Sequence, residues 1–183
     1  MDSILNLISR FDWWLLDAIQ HLRSDFLDFL MPKITALGNA GILWILLTLV
    51  LLCIPKTRKC GFAMALALVL SLVLGNLVLK PWVARLRPFL ENSQIILLIP
   101  PPLDFSFPSG HTYAGIASAL VLWRFHRRLG IPAMIAAVLI AFSRMYLQVH
   151  FPTDILGGIL LGTLCAALSV WIVERFCRRK NVL

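Results

Sequence analysis

The chain has 183 residues, 60% hydrophobic and only 14% charged, with a formal net charge of +8. A soluble domain carries about 25% charged residues, so the composition excludes an ordinary soluble fold and leaves a membrane protein forming one domain over 1–183. Ten of the 17 Lys and Arg fall in three short clusters, at 56–59, 124–128 and 175–180, each beside an apolar run; a nucleic-acid partner would need a continuous basic face instead, and none is expected.

Residues 1–31 read as one helix. Ile4, Ile8, Phe11, Leu15, Ile19, Leu22, Phe26 and Phe29 recur at spacings of three and four. Asp12, Asp17, Arg23, Asp25 and Asp28 interrupt that apolar content, which suits an amphipathic helix in the interface or against the bundle. A first crossing is the alternative. Pro32 is expected to end the helix. Met1-Asp2-Ser3 offers no basic stretch before the first apolar residues, so a cleavable signal peptide of the usual form is not expected.

Apolar runs long enough to cross a bilayer follow. The first extends from about Thr35 to Ile54, and the basic turn Pro55-Lys56-Thr57-Arg58-Lys59 separates it from a second, Gly61 to Leu79. Residues 81–110 form the one long connection, with five prolines before Pro108. Its short apolar run, Ile95 to Ile99, fits either a dip into the headgroup layer or a loop packed over the bundle. A third run spans about His111 to Phe125, and a fourth Ile131 to Leu147, with Pro132 expected in its first turn. The fifth runs from about Asp154 to Phe176, where Gly157, Gly158 and Gly162 permit close helix approach. The fold expected is an all-α, polytopic bundle of five to six transmembrane helices. Cys53, Cys60, Cys165 and Cys177 show neither a disulfide framework nor a CxxC spacing.

Threading these runs puts all three basic clusters on one side, which the positive-inside rule makes cytoplasmic. Residues 81–110 and 148–153 then lie on the opposite, non-cytoplasmic face. The chain's unusual polar stretches lie there too: Lys80 to Arg87-Pro88, Pro108-Ser109-Gly110-His111, and Ser143-Arg144 followed by His150 and Asp154.

Charges near a bilayer are expensive and mark function. Lys80, Arg85, Arg87 and Arg144 supply ammonium and guanidinium donors suited to phosphate oxygens. Ser109 and Gly110 stand where the loop enters a helix, and free backbone N–H groups there favour an anion. His111, in the first turn, is placed to protonate a leaving oxygen. If residues from 151 onward are helical, His150 and Asp154 share a face at a spacing of four, and the carboxylate can fix one imidazole nitrogen and leave the other to attack. A two-metal site would need a dense carboxylate set. After the N-terminal helix the outer loops offer only Glu91, Asp104 and Asp154, so no metal and no cofactor are expected.

With Lys-x6-Arg-Pro, Pro-Ser-Gly-His and Ser-Arg-x5-His-x3-Asp in order over residues 80–154, the chain resembles the type 2 phosphatidic acid phosphatase (PAP2) superfamily, which is related to vanadium haloperoxidases. The resemblance implies phosphate binding by Lys80, Arg87, Ser109, Gly110 and Arg144. It makes His111 the general acid, His150 the nucleophile of a phosphohistidine mechanism and Asp154 its partner. It implies a membrane-embedded lipid phosphatase needing no metal, with undecaprenyl diphosphate favoured as substrate and phosphatidylglycerol phosphate or phosphatidic acid as alternatives. Arg85 lies outside the signature and takes at most a supporting role. Members are usually six-helix proteins, so the N-terminal segment is where this chain departs from the pattern.

Overall fold

The structure is a computed structural model that describes residues 2–180. The segment read as one N-terminal helix is two: α1, Asp2–Gln20, and α2, Asp25–Ala36. The break has a local cause. Ser24 is extended at the N-cap of α2, its hydroxyl accepting from the Leu27 N–H at 3.3 Å, with Asp25 and Asp28 in the first turn at the positive end of the helix dipole. Pro32 does not end a helix but lies inside α2.

The stripe Ile4, Ile8 and Phe11 of α1 faces outward, while Asp12, Leu16 and Ile19 are buried against the two last helices, Arg127–Tyr146 and Pro152–Lys180. A bilayer is as apolar as a protein core, so an outward apolar stripe carries no penalty there. The inward face can then hold a polar group, if that group is paired.

The first crossing begins earlier than its hydropathy suggests. α2 runs into α3, Ile42–Cys53, across a 41° bend, and the pair passes for one broken span. The bend is a short 3₁₀ turn over Asn39–Gly41, in which Ala40 (φ 50°) and Gly41 (φ 67°) are left-handed. Glycine adopts that conformation freely, whereas alanine does so at a cost of about 1–2 kcal/mol.

After the turn Pro55–Thr57 comes α4, Arg58–Leu72, which widens into a π-helical stretch, Val73–Leu79, and ends in the short α5, Lys80–Val83. The long connection between α5 and the next long helix holds one helical turn, α6, Pro88–Glu91. Its apolar run packs over the bundle: Leu97 and Ile99 lie against Ile19, Met31, Tyr146, Leu147 and Val149. α7, Gly110–Phe125, and α8, Arg127–Tyr146, are separated only by His126. Pro132 is therefore inside α8, beyond its first turn. α9, Pro152–Lys180, closes the bundle.

α7 is the central helix, packed on α4, α8 and α9. Ala117, Ala119, Val121 and Leu122 on it are fully buried, so it is apolar all round rather than amphipathic. Gly158 and Gly162 of α9 face α7 so closely that a Cβ would lie 2.9 Å from the Ser109 carbonyl and 2.6 Å from that of Tyr113. Gly157 instead faces the Phe107 ring. This approach brings the start of α7 against the start of α9, where the site lies. Many apolar side chains, among them Leu46, Leu49, Leu160 and Leu164, point outward, as lipid-facing residues do. Among the described residues, three helical stretches are long and apolar enough to cross a membrane, or four with the bent pair counted as one span. α7, with 16 residues and about 24 Å of length, is shorter than a full crossing but sits at the bundle centre. The protein is a multi-pass membrane protein.

Candidate active site

The motif residues lie 74 positions apart from first to last in the chain, and the helix ends converge them. Lys80 starts α5, Arg87 is the N-cap of α6, Ser109 is the N-cap of α7, Gly110 and His111 begin α7, Arg144 is in the last turn of α8, and Asp154 is in the first turn of α9. Lys80, Arg87, Gly110, His111, Arg144 and His150 line one cavity of about 910 Å³. Arg87, Ser109, Arg144, His150 and Asp154 are all buried.

His150 has one ring nitrogen on each side of this arrangement. Nδ1 faces Asp154 Oδ2 at 3.4 Å, and Nε2 stands 3.2 Å from Arg87 Nη1. An Nδ1–H held by the carboxylate leaves Nε2 as the lone-pair nitrogen. Burial, then the charges of Arg87, Arg144, Lys80 and His111, push the imidazole well below its ordinary pKa. The ring is therefore neutral at physiological pH, as a nucleophile requires.

Asp154 is itself over-determined. Oδ2 accepts from the Ser106 hydroxyl at 2.5 Å and from the Phe151 N–H at 2.8 Å, and Oδ1 accepts from Arg85 Nη1 at 2.8 Å. Arg85 is outside the 910 Å³ cavity. Its guanidinium lies over the Phe151 ring, 4.1 Å from the centroid, and its Nη2 donates to Asp12 of α1 at 2.6 Å. Asp12 in turn accepts from the Thr153 N–H at 2.9 Å and the Thr153 hydroxyl at 2.6 Å.

The broken first span serves the other half of the site. Thr35 accepts from Arg144 Nη1 at 2.7 Å, and Asn39 Oδ1 stands 3.2 Å from His111 Nε2. Gly38 abuts the His111 ring so closely that a Cβ would lie 2.5 Å from Cδ2. The Arg144 Nε, by contrast, is buried with no hydrogen-bond partner. Ser109 does not reach the cavity with its hydroxyl, which accepts from Thr112 Oγ1 at 3.0 Å; its N–H donates to the Asp154 carbonyl at 3.1 Å. Its backbone thus ties the start of α7 to that of α9.

Asp104, in the long connection between α6 and α7, sits among the cations. Its carboxylate accepts from Lys80 Nζ and, at 2.6 Å, from Arg87 Nη2. Burial works against its ionisation, but those two partners prevail and hold it down to about 2. Three of these groups, Asp12, Thr35 and Asn39, precede the motif region entirely. Only Asp12 carries a sequence signal: a charge on the face of a helix that must pack.

Residues 58–178 match the PAP2 superfamily. An undecaprenyl-diphosphatase from Sulfolobus acidocaldarius is 38% identical over 147 residues, covering 80% of this chain and 70% of that protein. The crystal structure of Aquifex aeolicus LpxE superposes with a TM-score of 0.78 at 28% identity, covering 87% of this chain and 94% of that one. A PAP2-type phosphatidylglycerolphosphate phosphatase from Bacillus subtilis superposes with a TM-score of 0.75 at 31% identity, covering 93% and 88%. With the family matched across most of the bundle, and with relatives similar over most of their own lengths, this chain belongs to the PAP2 superfamily.

Proposed function

We infer that this protein is a metal-independent membrane phosphatase that removes a terminal phosphate from a lipid at the non-cytoplasmic face, with undecaprenyl diphosphate as its favoured substrate. The observation that carries the reading is the shape and chemistry of one cavity. Its outer end holds Lys80, Arg87, His111, Arg144 and His150, and its walls continue through Thr48, Leu49, Leu52, Leu68 and Leu72 between α3 and α4. A phosphate seat that opens into an apolar groove along two membrane helices matches a phosphorylated lipid in both of its parts.

The chemistry follows from the placement. His150 Nε2 attacks phosphorus, the bond from phosphorus to the bridging lipid-side oxygen breaks, and His111 delivers a proton to that oxygen. Asp154 stabilises the charge gained by the imidazole ring. Lys80, Arg87 and Arg144 balance the charge on the transferring phosphoryl oxygens, the task a metal performs in other phosphatases. Water, giving its proton back to His111, then attacks the phosphohistidine. Orthophosphate leaves and His150 is restored.

The 38% identical undecaprenyl-diphosphatase supports the diphosphate substrate. The Bacillus subtilis phosphatidylglycerolphosphate phosphatase supports a second reading, a phosphatidylglycerol phosphate or phosphatidic acid phosphatase of broader specificity. The positions of the Lys56–Lys59, Arg124–Arg128 and Arg175–Lys180 clusters support the non-cytoplasmic orientation. Phosphate release by purified protein from undecaprenyl diphosphate, phosphatidylglycerol phosphate and phosphatidic acid, with EDTA present, tests all of this. Release from the diphosphate at the highest kcat/KM is expected. Preference for a monophosphate would favour the second reading, and a Mg²⁺ requirement would contradict the mechanism.

A further inference from the structure

Arg87 has five N–H donors, and all five are engaged. Nε donates to the Asp104 carbonyl at 2.8 Å, Nη1 to the Val149 carbonyl at 2.6 Å and towards His150 Nε2 at 3.2 Å, and Nη2 to Asp104 Oδ1 at 2.6 Å and the Phe105 carbonyl at 3.4 Å. Lys80 Nζ is committed to the other Asp104 oxygen. A phosphate that takes the Arg87 Nη2 donor and the Lys80 N–H now held by Asp104 must replace that carboxylate. The side chains of Lys80 and Arg87 are 7% and 2% exposed, whereas that of Asp104 is 53% exposed, so the aspartate is the partner free to move.

Asp104 also stands in a wall. On its far side is a second cavity of about 780 Å³, and Asn76, Lys80, Arg87, Pro102 and Asp104 line both spaces. With its carboxyl held down at about 2, Asp104 is an anion at every physiological pH.

We propose that Asp104 is a specificity-determining carboxylate that occupies Lys80 and Arg87 until a terminal phosphate displaces it, and so shuts out the phosphodiesters of ordinary membrane lipids. The inference rests on the phosphatase reading of this cavity. Its logic is a comparison of charges. A phosphodiester brings one negative charge and two free oxygens, as a carboxylate does. It gains little by exchange, and Asp104, tethered in place, has the higher effective concentration. A terminal phosphate brings close to two charges and three free oxygens. The third oxygen has a donor available, because Arg144 Nε is buried in the same site without a partner. Asp104 weakens both anions alike, as any internal competitor does, and so sets a threshold that the terminal phosphate, with its extra charge and oxygen, passes and the phosphodiester does not.

The test uses two small anions, orthophosphate and dimethyl phosphate, titrated calorimetrically into the detergent-solubilised wild type, Asp104→Asn and Asp104→Ser. Asp104 is a half-exposed loop residue, so neither variant hollows out the core, and the two check each other. Both variants are expected to bind dimethyl phosphate at least about tenfold more tightly than the wild type, with a gain at least as large for orthophosphate, so that a phosphodiester shut out of the wild type now occupies the site. Unchanged or weaker binding of dimethyl phosphate in the variants would overturn the proposal and make Asp104 a support for the two cations. Phosphate release by the wild type from vesicles carrying undecaprenyl diphosphate, phosphatidylglycerol phosphate or phosphatidic acid is measured alongside. Its absence would count against the phosphatase reading, while the binding titrations judge Asp104 without turnover.

Discussion

Arg85 reaches Asp154 from outside the 910 Å³ cavity, Nη1 to Oδ1 at 2.8 Å, and so holds the carboxylate that faces His150 Nδ1 without itself lining that cavity. The same guanidinium binds the fully buried Asp12, which makes α1 part of the site's support. Breaking a buried ion pair by removing one partner costs about 3–5 kcal/mol. Asp12→Ala is therefore expected to lower stability strongly, with a readable drop in the thermal midpoint. Arg85→Ala should cut kcat by about a hundredfold or more while leaving KM nearly unchanged, because the effect passes through His150 orientation. Equal stability and kcat in both variants would show that the network contributes nothing.

The α2–α3 bend makes a second, independent prediction. Gly38→Ala would place a methyl 2.5 Å from His111 Cδ2 and 2.9 Å from Ile140 Cγ2, so the imidazole must shift. A displacement of that order at the general acid is expected to lower kcat by about 10- to 100-fold. Asn39→Ala, which removes the 3.2 Å partner of Nε2, should act in the same direction. A substrate with a good leaving group needs less proton donation and should recover much of the loss. Uniform loss across leaving groups would assign the bend a purely structural role.

Much of this site was legible in the sequence, for a physical reason. His150 and Asp154 stand four apart, a spacing short enough to join them although His150 precedes the start of α9 at Pro152 and meets an Asp154 carboxylate that also caps the Phe151 N–H. The cations are costly in a membrane, which makes each conspicuous. Asp104, Ser106, Thr35 and Asn39 are ordinary loop and helix-end residues whose roles depend on which distant segment packs against them. The N-terminal helices illustrate the same limit. Periodicity over 1–31 runs unbroken through the Ser24 cap, and the outward stripe of α1 looks like a core-facing one, because lipid and core are equally apolar. Pro32 and Pro132 read as boundaries but sit inside helices, where tertiary packing overrides local preference.

Protonation of His150 is the next expectation. Its pKa lies well below the ordinary histidine value, through burial first and the neighbouring cations second. A lowered pKa keeps the ring neutral as pH falls past 6.5, so nitrogen NMR of the ring should show no titration between pH 8 and about 6.5. His150→Ala identifies the signal. A midpoint at or above 6.5 would contradict the buried, cation-flanked environment.

The groove between α3 and α4 predicts selective loss for long chains. Ala65 lines it, and Ala65→Phe fills part of the space a tail would take. kcat/KM for a long-chain lipid phosphate should fall by about tenfold, the scale set by a few buried methylenes, while a short water-soluble phosphate ester is spared. Equal effects on both would place the tail elsewhere.

The central claim is that His150 carries the phosphoryl group, and one measurement addresses it most directly. Purified protein is mixed with undecaprenyl diphosphate labelled in its terminal phosphate, quenched in alkali to preserve phosphohistidine, and the label is mapped by peptide. The account predicts label on the peptide containing His150 in the wild type. In a folded His150→Ala variant it predicts no label and essentially no phosphate release. Phosphate release by His150→Ala at the wild-type rate would contradict it.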